Sequence, residues 1–172
     1  MPRPKKDEYY LEIAKAVGKR STCTRRKFGS IIVKNDTIVS TGYNGGARGS
    51  VNCNKEGCLK DEADAPSYGR YDLCPAVHSE ENAVVNAARH GTQIKGGKLY
   101  ILAVDPETGE ETASKPCDRC SRILINAGIE EMITRNKEGD IIKQYPSNWA
   151  DKEKVKYREK LKKAKKGQLE EE

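Results

Sequence analysis

The chain has 172 residues, of which 35% are hydrophobic and 34% are charged, which suits one domain with a modest core. The first residues, MPRPKKDEYY, have no apolar signal core, and no run approaches the ~20 apolar residues of a membrane span, so we expect a cytoplasmic protein without a membrane partner. In that setting the six cysteines indicate thiols or metal ligands rather than disulfides. The net charge of +6 favours an anionic partner but does not separate a nucleotide from a nucleic acid.

The first half of the chain predicts a helix, a β-hairpin and a long loop. Apolar residues recur at helical spacing in DEYYLEIAKAVGKRS. The segment FGSIIVKNDTIVSTGYNGG has two β-branched runs around the turn residues Asn35 and Asp36, which is typical of a hairpin. Residues 44–76 lack apolar periodicity and contain three cysteines. A loop this long is usually functional, or is held by something other than a hydrophobic core.

The second half alternates helices and strands. We expect a helix in SEENAVVNAARHG with Ser79 as its N-cap, a buried strand in KLYILAV, a helix in PCDRCSRILINAG and a last short strand in EEMITRN. A charged helix or tail follows. The predicted division is therefore a domain over residues 1–147 and an appendage over residues 148–172. This alternation indicates an α/β sheet covered by helices on both faces.

The short motif PCDRC brings two thiols to the start of a helix. Cys117 and Cys120 are three residues apart and so lie on one side of the first turn. The free N–H groups and the helix dipole there stabilise thiolates, the form that binds zinc. A C-x-x-C pair alone is ambiguous between zinc, redox and structural uses, but the upstream H-S-E at residues 78–80 favours zinc.

Two thiolates and the imidazole of His78 would leave the fourth tetrahedral position open, as in a catalytic zinc site. Water at that position loses a proton near neutral pH, and Glu80 is the candidate to take this proton and deliver it to a leaving amine. Residues i and i+2 of a regular helix point about 200° apart, so the pair can serve one site only at the helix start. The sequence places it there.

The pattern H-x-E…P-C-x-x-C is a signature of zinc nucleobase deaminases. The chain resembles the cytidine deaminase-like superfamily, and more closely the deoxycytidylate (dCMP) deaminases, in STCTRRKFGSIIVK, STGYNGGARGSVNC, LCPAVHSEENAV and KPCDRCSRILINAGI. The resemblance implies a three-layer α/β/α fold with a central mixed sheet of about five strands. It also implies zinc-dependent hydrolysis of dCMP to dUMP, the precursor for thymidylate synthesis. In the family, residues matching His78, Cys117 and Cys120 bind zinc, and the match to Glu80 shuttles protons.

The family commonly reads H-A-E, whereas this chain has Ser79, and we expect that small residue to leave the chemistry unchanged. Asn44 in GYNGG is the candidate contact to the sugar or base, with a simple turn residue as the alternative. Arg25 and Arg26 are candidates for gripping the 5′-phosphate, with a solvated charge run as the alternative. Tyr145 is the candidate for the C-terminal aromatic that brackets the substrate in relatives, with a surface tyrosine as the alternative.

Four cysteines flank or lie within the long loop: Cys23, Cys53, Cys58 and Cys74. Some relatives bind a second, structural zinc at similar places, and a closed four-thiolate site would explain how a loop without a core is held. Buried or free thiols are the alternative.

The resemblance further implies a homo-oligomer (a hexamer in relatives) and the effectors dCTP, which activates, and dTTP, which inhibits. Two other functions remain open: deamination of another cytosine nucleotide or of a polynucleotide such as transfer RNA, and a non-catalytic zinc-binding module. The C-terminal lysines alternate with glutamates and make a poor phosphate-tracking stripe, so we expect no nucleic-acid partner. A non-catalytic module would leave Glu80 without a purpose.

Overall fold

The structure is a computed structural model that describes residues 2–168 of the chain. The strands are β1 (Lys27–Lys34), β2 (Thr37–Tyr43), β3 (Gly45–Gly46), β4 (Ala76–Val77), β5 (Lys98–Val104), β6 (Glu111–Thr112), β7 (Glu131–Arg135) and β8 (Ile141–Gln144). The helices are α1 (Lys6–Gly18), α2 (Cys53–Glu56), α3 (Leu59–Glu62), α4 (Ser79–Arg89), α5 (Asp118–Asn126) and α6 (Pro146–Lys165). Helices and strands alternate along the chain, as the sequence indicates.

The main sheet is mixed and has the order β2-β1-β5-β7-β8, with β6 paired to β5. Strand β1 is antiparallel to β2 and β5, β5 is parallel to β7, and β7 is antiparallel to β8. The expected α/β class with a mixed sheet of about five strands is confirmed. The expectation that the last strand lies in EEMITRN is wrong, because β8 follows it and pairs along the free edge of β7.

The β1–β2 hairpin turns at the two residues that the sequence indicates. Asn35 and Asp36 have φ values of 49° and 60°, the left-handed conformation that a two-residue type I′ turn requires at both positions. Asparagine and aspartate tolerate this conformation better than most residues. The turn sets the register next to it, and a shift in pairing between Ile32 and Val33 sets the register of the rest of the hairpin.

Alternate residues of the central strands supply two separate cores. Ile31 and Tyr100 pack in one cluster with residues of α1, including Leu11. Their neighbours in sequence, Ile32 and Ile101, pack on the opposite face in a cluster that includes residues of α4 and α5. Because side chains of a strand point to opposite faces in turn, this alternation makes a three-layer α/β/α arrangement.

Residues 44–76 are more ordered than the long loop that the sequence predicts. They contain the one-turn helices α2 and α3, and β3 pairs with β4. Lys60 of α3 is only 4% exposed and donates hydrogen bonds to backbone carbonyls of the following segment. Polar contacts thus organise a segment that lacks a hydrophobic core.

The charged C-terminal segment forms α6, which begins at Pro146, so the expected division between residues 147 and 148 falls inside this helix. Trp149 packs against the core on the α4 and α5 side. The last residues of the expected tail, 169–172, lie outside the described part of the chain. Within residues 2–168, no helix combines the length and the apolar character needed to cross a bilayer.

Candidate active site

Two helix N-termini meet at the candidate site. His78 is the N-cap of α4 and has the extended conformation (φ −72°, ψ 156°), and Cys117 is the N-cap of α5. The Nδ1 atom of His78 lies 3.5 Å from the Sγ atom of Cys117 and 3.4 Å from that of Cys120. The fold therefore brings His78 to two cysteines that follow it in the sequence by 39 and 42 residues.

The chemistry and spacing of these three side chains fit a zinc ion. Their ligand atoms all lie within 4.8 Å of one another, and no other such group of His, Cys, Asp or Glu is found within residues 2–168. Zn–S and Zn–N bonds of about 2.3 and 2.0 Å at a tetrahedral angle place nitrogen and sulfur roughly 3.5 Å apart. The observed separations of 3.4 and 3.5 Å agree with this value.

The two thiols differ in their surroundings. Hydrogen bonds from the Cys120 thiol and from His78 lower the pKa of the Cys117 thiol to about 3, despite its burial. The backbone N–H of Cys120 also donates to the Cys117 sulfur over 3.4 Å. The hydrogen bond to the Cys117 sulfur and burial together raise the pKa of the Cys120 thiol. A thiolate is thus stabilised at the start of α5, as expected for a metal ligand at a helix N-terminus.

Glu80 lies in the first turn of α4 and is 4% exposed. Burial raises the pKa of its carboxyl group above the ordinary 4.5, although its own backbone N–H and His78 act in the opposite direction. A buried carboxyl group beside a set of metal ligands is the arrangement that a proton-transfer group requires.

Ser79 does not cap α4, in contrast to the expectation from the sequence. His78 occupies the N-cap position, and Ser79 is the first residue of the helix proper. Its side chain is completely buried and its hydroxyl group bonds to Glu80 and Ser30 rather than to a free N–H of the helix. The hydroxyl can reach them because Ser79 lies where α4 packs against β1.

Tyr71 lies next to the candidate metal ligands, and the sequence did not reveal this contact. Its ring meets that of His78 edge-on, with centroids 5.8 Å apart. Burial and a hydrogen bond with the Cys117 thiol raise the pKa of its hydroxyl group. The side chain is nevertheless 39% exposed, so it lies at the rim of the site. A tyrosine seven residues before His78 in a polar loop carries no sequence signal of this contact.

Asn44, the candidate for contact with the sugar or base, is 7% exposed, and its side chain makes three hydrogen bonds within the chain. Its Oδ1 atom accepts from the Ser21 hydroxyl over 2.7 Å and from the Phe28 N–H over 2.8 Å, and its Nδ2 atom donates to the Arg26 carbonyl over 2.9 Å. These contacts tie the end of β2 to the segment before β1. One amide hydrogen is left for a ligand, and the substrate contact stays a prediction.

The two arginines proposed for the phosphate lie in different environments. Arg25 pairs with Asp61 over 3.0 Å and donates to the Ala65 carbonyl over 3.1 Å, so it braces the cysteine-containing segment. Its Nη1 atom is buried without a hydrogen-bond partner. Arg26 is exposed.

Tyr145, the candidate for the aromatic residue that brackets the substrate, precedes α6 and is 48% exposed. The contacts of Arg25, Arg26 and Tyr145 with a substrate stay predictions.

The four other cysteines line one small cavity of about 30 Å³, namely Cys23, Cys53, Cys58 and Cys74. Burial and the nearby thiols raise the pKa of Cys53. All four are free thiols, and they do not reach the mutual 4.8 Å spacing of the His78 group. The fold therefore gathers these residues, which span 52 positions of the sequence, around a space of ionic size.

The comparison with protein families agrees with this geometry. Residues 4–135 match the family described as the cytidine and deoxycytidylate deaminase zinc-binding region. The chain belongs to this family. The expected class of enzyme, a hydrolytic deaminase, is thereby confirmed for this domain, and the zinc-binding description of the family agrees with a His/Cys/Cys group that could hold a metal ion.

Individual relatives lie within the same family. Deoxycytidylate deaminase of Schizosaccharomyces pombe is 34% identical over 131 residues, which are 76% of this chain and 37% of the relative. The enzyme of the same name from Mycobacterium phage D29 is 34% identical over 138 residues, or 77% of this chain and 96% of the relative. The crystal structure of dCMP deaminase from the cyanophage S-TIM5 in complex with dCMP and dUMP superposes with a TM-score of 0.59 at 28% identity, covering 79% of this chain and 85% of that one.

Proposed function

We propose that the chain catalyses the zinc-dependent hydrolysis of dCMP to dUMP and ammonia. The observation that carries this proposal is the buried carboxyl group of Glu80 beside the group His78, Cys117 and Cys120. Relatives named deoxycytidylate deaminase and the complex of one such enzyme with dCMP and dUMP support the choice of substrate.

His78, Cys117 and Cys120 would hold the zinc ion through one nitrogen and two sulfur atoms. Bound zinc would act as a Lewis acid and lower the pKa of water at the site. Glu80 accepts a proton from the attacking water and delivers it to the departing amino group. Water adds to C4 of cytosine to form a C4–O bond, one of its protons ends on N3 and the other on the exocyclic amino group, and the bond from C4 to that group then breaks to release ammonia. The burial of Glu80 suits it to hold a proton between these two steps.

The test is ammonia release from dCMP, dCTP, deoxycytidine and RNA, with and without a chelator. We expect turnover of dCMP that the chelator abolishes. Glu80→Gln preserves size and should lower kcat at least 100-fold while the zinc content is retained. The matched control is Glu130→Gln, an exposed glutamate outside the site. Full activity of Glu80→Gln would refute the proposed mechanism, and turnover of RNA alone would favour the polynucleotide alternative.

The charges of α6 support a nucleotide rather than a nucleic-acid substrate. Lys156 pairs with Asp118 over 3.3 Å, and Glu153 pairs with Arg122 over 2.5 Å. These ion pairs hold α6 against α5. They also neutralise basic groups that would otherwise be needed to bind the phosphates of a nucleic acid.

We also propose that Cys23, Cys53, Cys58 and Cys74 hold a second, structural zinc ion. Four thiols around a cavity of about 30 Å³ in a segment without a hydrophobic core support this site. The test is the zinc content per chain of wild type and of Cys53→Ser. We expect two ions in the wild type and one in the variant, with dCMP turnover measured in parallel. A wild-type value of one would exclude the second site.

The remaining proposals concern regulation and assembly. We propose that dCTP activates and dTTP inhibits the enzyme, that it forms a homo-oligomer and that its product supplies thymidylate synthesis. These proposals are supported by membership of the cytidine and deoxycytidylate deaminase family. Initial rates at several dCMP concentrations with each triphosphate, and the mass in solution by light scattering, test the first two. Rates unaffected by both nucleotides would refute regulation.

A further inference from the structure

Two serine hydroxyl groups connect the sheet to the carboxyl group of Glu80. The Ser30 Oγ atom, on β1, lies 2.8 Å from the Ser79 Oγ atom, on α4. The Ser79 Oγ atom lies 2.9 Å from the Oε2 atom of Glu80. Both serines have no exposed surface, and Glu80 is 4% exposed. These hydrogen bonds are therefore shielded from competing water.

The direction of this chain follows from the chemistry of its members. An ionised carboxylate can only accept hydrogen bonds, so the Ser79 hydroxyl donates to Glu80. The oxygen of Ser79 then remains an acceptor for the hydroxyl of Ser30. Each hydroxyl has a single hydrogen, and both hydrogens are used in series toward the carboxylate.

The sequence alone led us to expect that Ser79 leaves the chemistry unchanged, but from these hydrogen bonds we propose that Ser79 is a positioning residue that fixes the carboxylate of Glu80 for proton transfer, and that Ser30 anchors Ser79 to the sheet. This inference rests on the proposed function. A glutamate side chain has three rotatable bonds, and a hydrogen bond to Oε2 removes much of the freedom of its carboxylate. Because a carboxylate has about four acceptor positions, positions remain for the attacking water. The serine thus acts through Glu80 and touches no reacting atom.

The two serines have separable effects, which permits a sharp test. Ser79→Ala removes the donor to Glu80 and also leaves the Ser30 hydroxyl buried without its acceptor, which costs stability. Ser30→Ala leaves the donor to Glu80 in place. The double variant lacks the donor but has no stranded hydroxyl. The loss of kcat should therefore be larger when Ser79 is replaced than when Ser30 is replaced, whereas the loss of stability should depend on whether one serine is left without its partner.

The experiment measures kcat and KM for dCMP, zinc content and the midpoint of thermal unfolding in wild type, Ser79→Ala, Ser30→Ala and the double variant. We expect Ser79→Ala to lower kcat about five- to tenfold, with KM within twofold and zinc retained. Ser30→Ala keeps the donor to Glu80 but loses its anchor, so it should lower kcat less than Ser79→Ala does, and the double variant should match Ser79→Ala. The unfolding midpoint should fall by about 2–8 °C in Ser79→Ala and partly recover in the double variant.

Distinct outcomes overturn the positioning role and the proposed function. A kcat of Ser79→Ala within twofold of wild type overturns the positioning role. So does an equal loss in Ser30→Ala, because that loss would reflect general packing. If the shift of the unfolding midpoint in the double variant equals the sum of the shifts in the two single variants, the anchoring by Ser30 is overturned. A wild type that is inactive on dCMP, dCTP, deoxycytidine and RNA overturns the proposed function itself, and then the positioning role falls with it.

Discussion

Lys60 is expected to order the segment that ends beside the metal ligands, and Lys60→Met tests this directly. Its ammonium group donates to the carbonyls of Pro66, Ser67 and Gly69 over 3.3, 3.3 and 2.6 Å. An ammonium group has three donors, so these bonds use all of them. The same nitrogen lies 5.7 Å from the ring centroid of Tyr71. Methionine has a similar length but no charge and no donor.

The expected magnitude follows from these contacts. A hydrogen bond that involves a charged group contributes about 1.5–3 kcal/mol. If the contributions of the three bonds simply added, their total would exceed about 4 kcal/mol. Residues 66–68 are exposed, so their carbonyls can bind water after the substitution. Methionine also removes the cost of burying an ammonium group. We therefore expect the free energy of opening of residues 61–73 to fall by about 2–4 kcal/mol, which corresponds to roughly 30- to 800-fold faster exchange.

The assay is amide hydrogen exchange of peptides that cover residues 61–73, compared with those of the central sheet. The matched control is Lys55→Met, because Lys55 is an exposed lysine in the neighbouring helix α2. Exchange in β5 should be unchanged within about threefold in both variants, since the segment opens locally. If Lys60→Met left the exchange of residues 61–73 within threefold of wild type, the proposed role of the ammonium group would be refuted.

Three further perturbations probe the metal ligands, the packing of α4 and the acid sensitivity of the fold. Tyr71→Phe keeps the ring beside the metal ligands but removes the hydroxyl group that bonds to Cys117. The zinc affinity, measured by competition with a chelator, should therefore fall about tenfold. An unchanged affinity would contradict this contact. Gly42→Ala would drive a methyl group into the backbone at the start of α4, and the free energy of unfolding from urea titrations should fall by about 3 kcal/mol; a loss below 1 kcal/mol would show that α4 can shift freely. Burial alone would raise the pKa of Asp7, but hydrogen bonds, above all from Lys143, lower it below 3.8. The ionised Asp7 therefore stabilises the fold above pH 3.8, and this stabilisation is lost as the pH falls through the lowered pKa. Asp7→Asn should lower the free energy of unfolding from urea titrations by about 1 kcal/mol at pH 7 and by less near pH 3. A larger loss at pH 3 than at pH 7 would contradict this reasoning.

The parts of the fold and site that could be predicted from the sequence depend on short-range patterns. The hairpin turn at Asn35 and Asp36 is encoded by two adjacent residues that accept a left-handed backbone. The thiols of Cys117 and Cys120 share a face because three residues separate them at a helix start. His78 likewise stands at a helix boundary marked by the residues that follow it.

The features that escaped prediction depend on contacts across the chain. Ser79 looked like a helix cap, but its hydroxyl meets Ser30, which is 49 residues away and reaches it only through the packing of α4 on β1. Strand β8 has too short an apolar run to stand out, and it becomes a strand because it pairs with the edge of β7. The contact of Tyr71 with His78 depends on the path of a segment held by polar bonds, which leaves no periodic pattern.

The convergence of two helix N-termini explains why both ligand motifs occur at boundaries rather than inside helices. Each N-terminus offers free N–H groups and a positive dipole end, so the backbone N–H of Cys120 stabilises the thiolate of Cys117. The ion pair of Arg119 with Glu81, at 2.7 Å, joins the first turns of α5 and α4 directly beside the ligands. Such an exposed pair contributes little to global stability, but here it fixes the relative position of two short segments that carry the ligands and Glu80. The geometry of the site is therefore controlled by how α4 and α5 pack at their first turns, and this packing matters more for function than the remaining length of either helix.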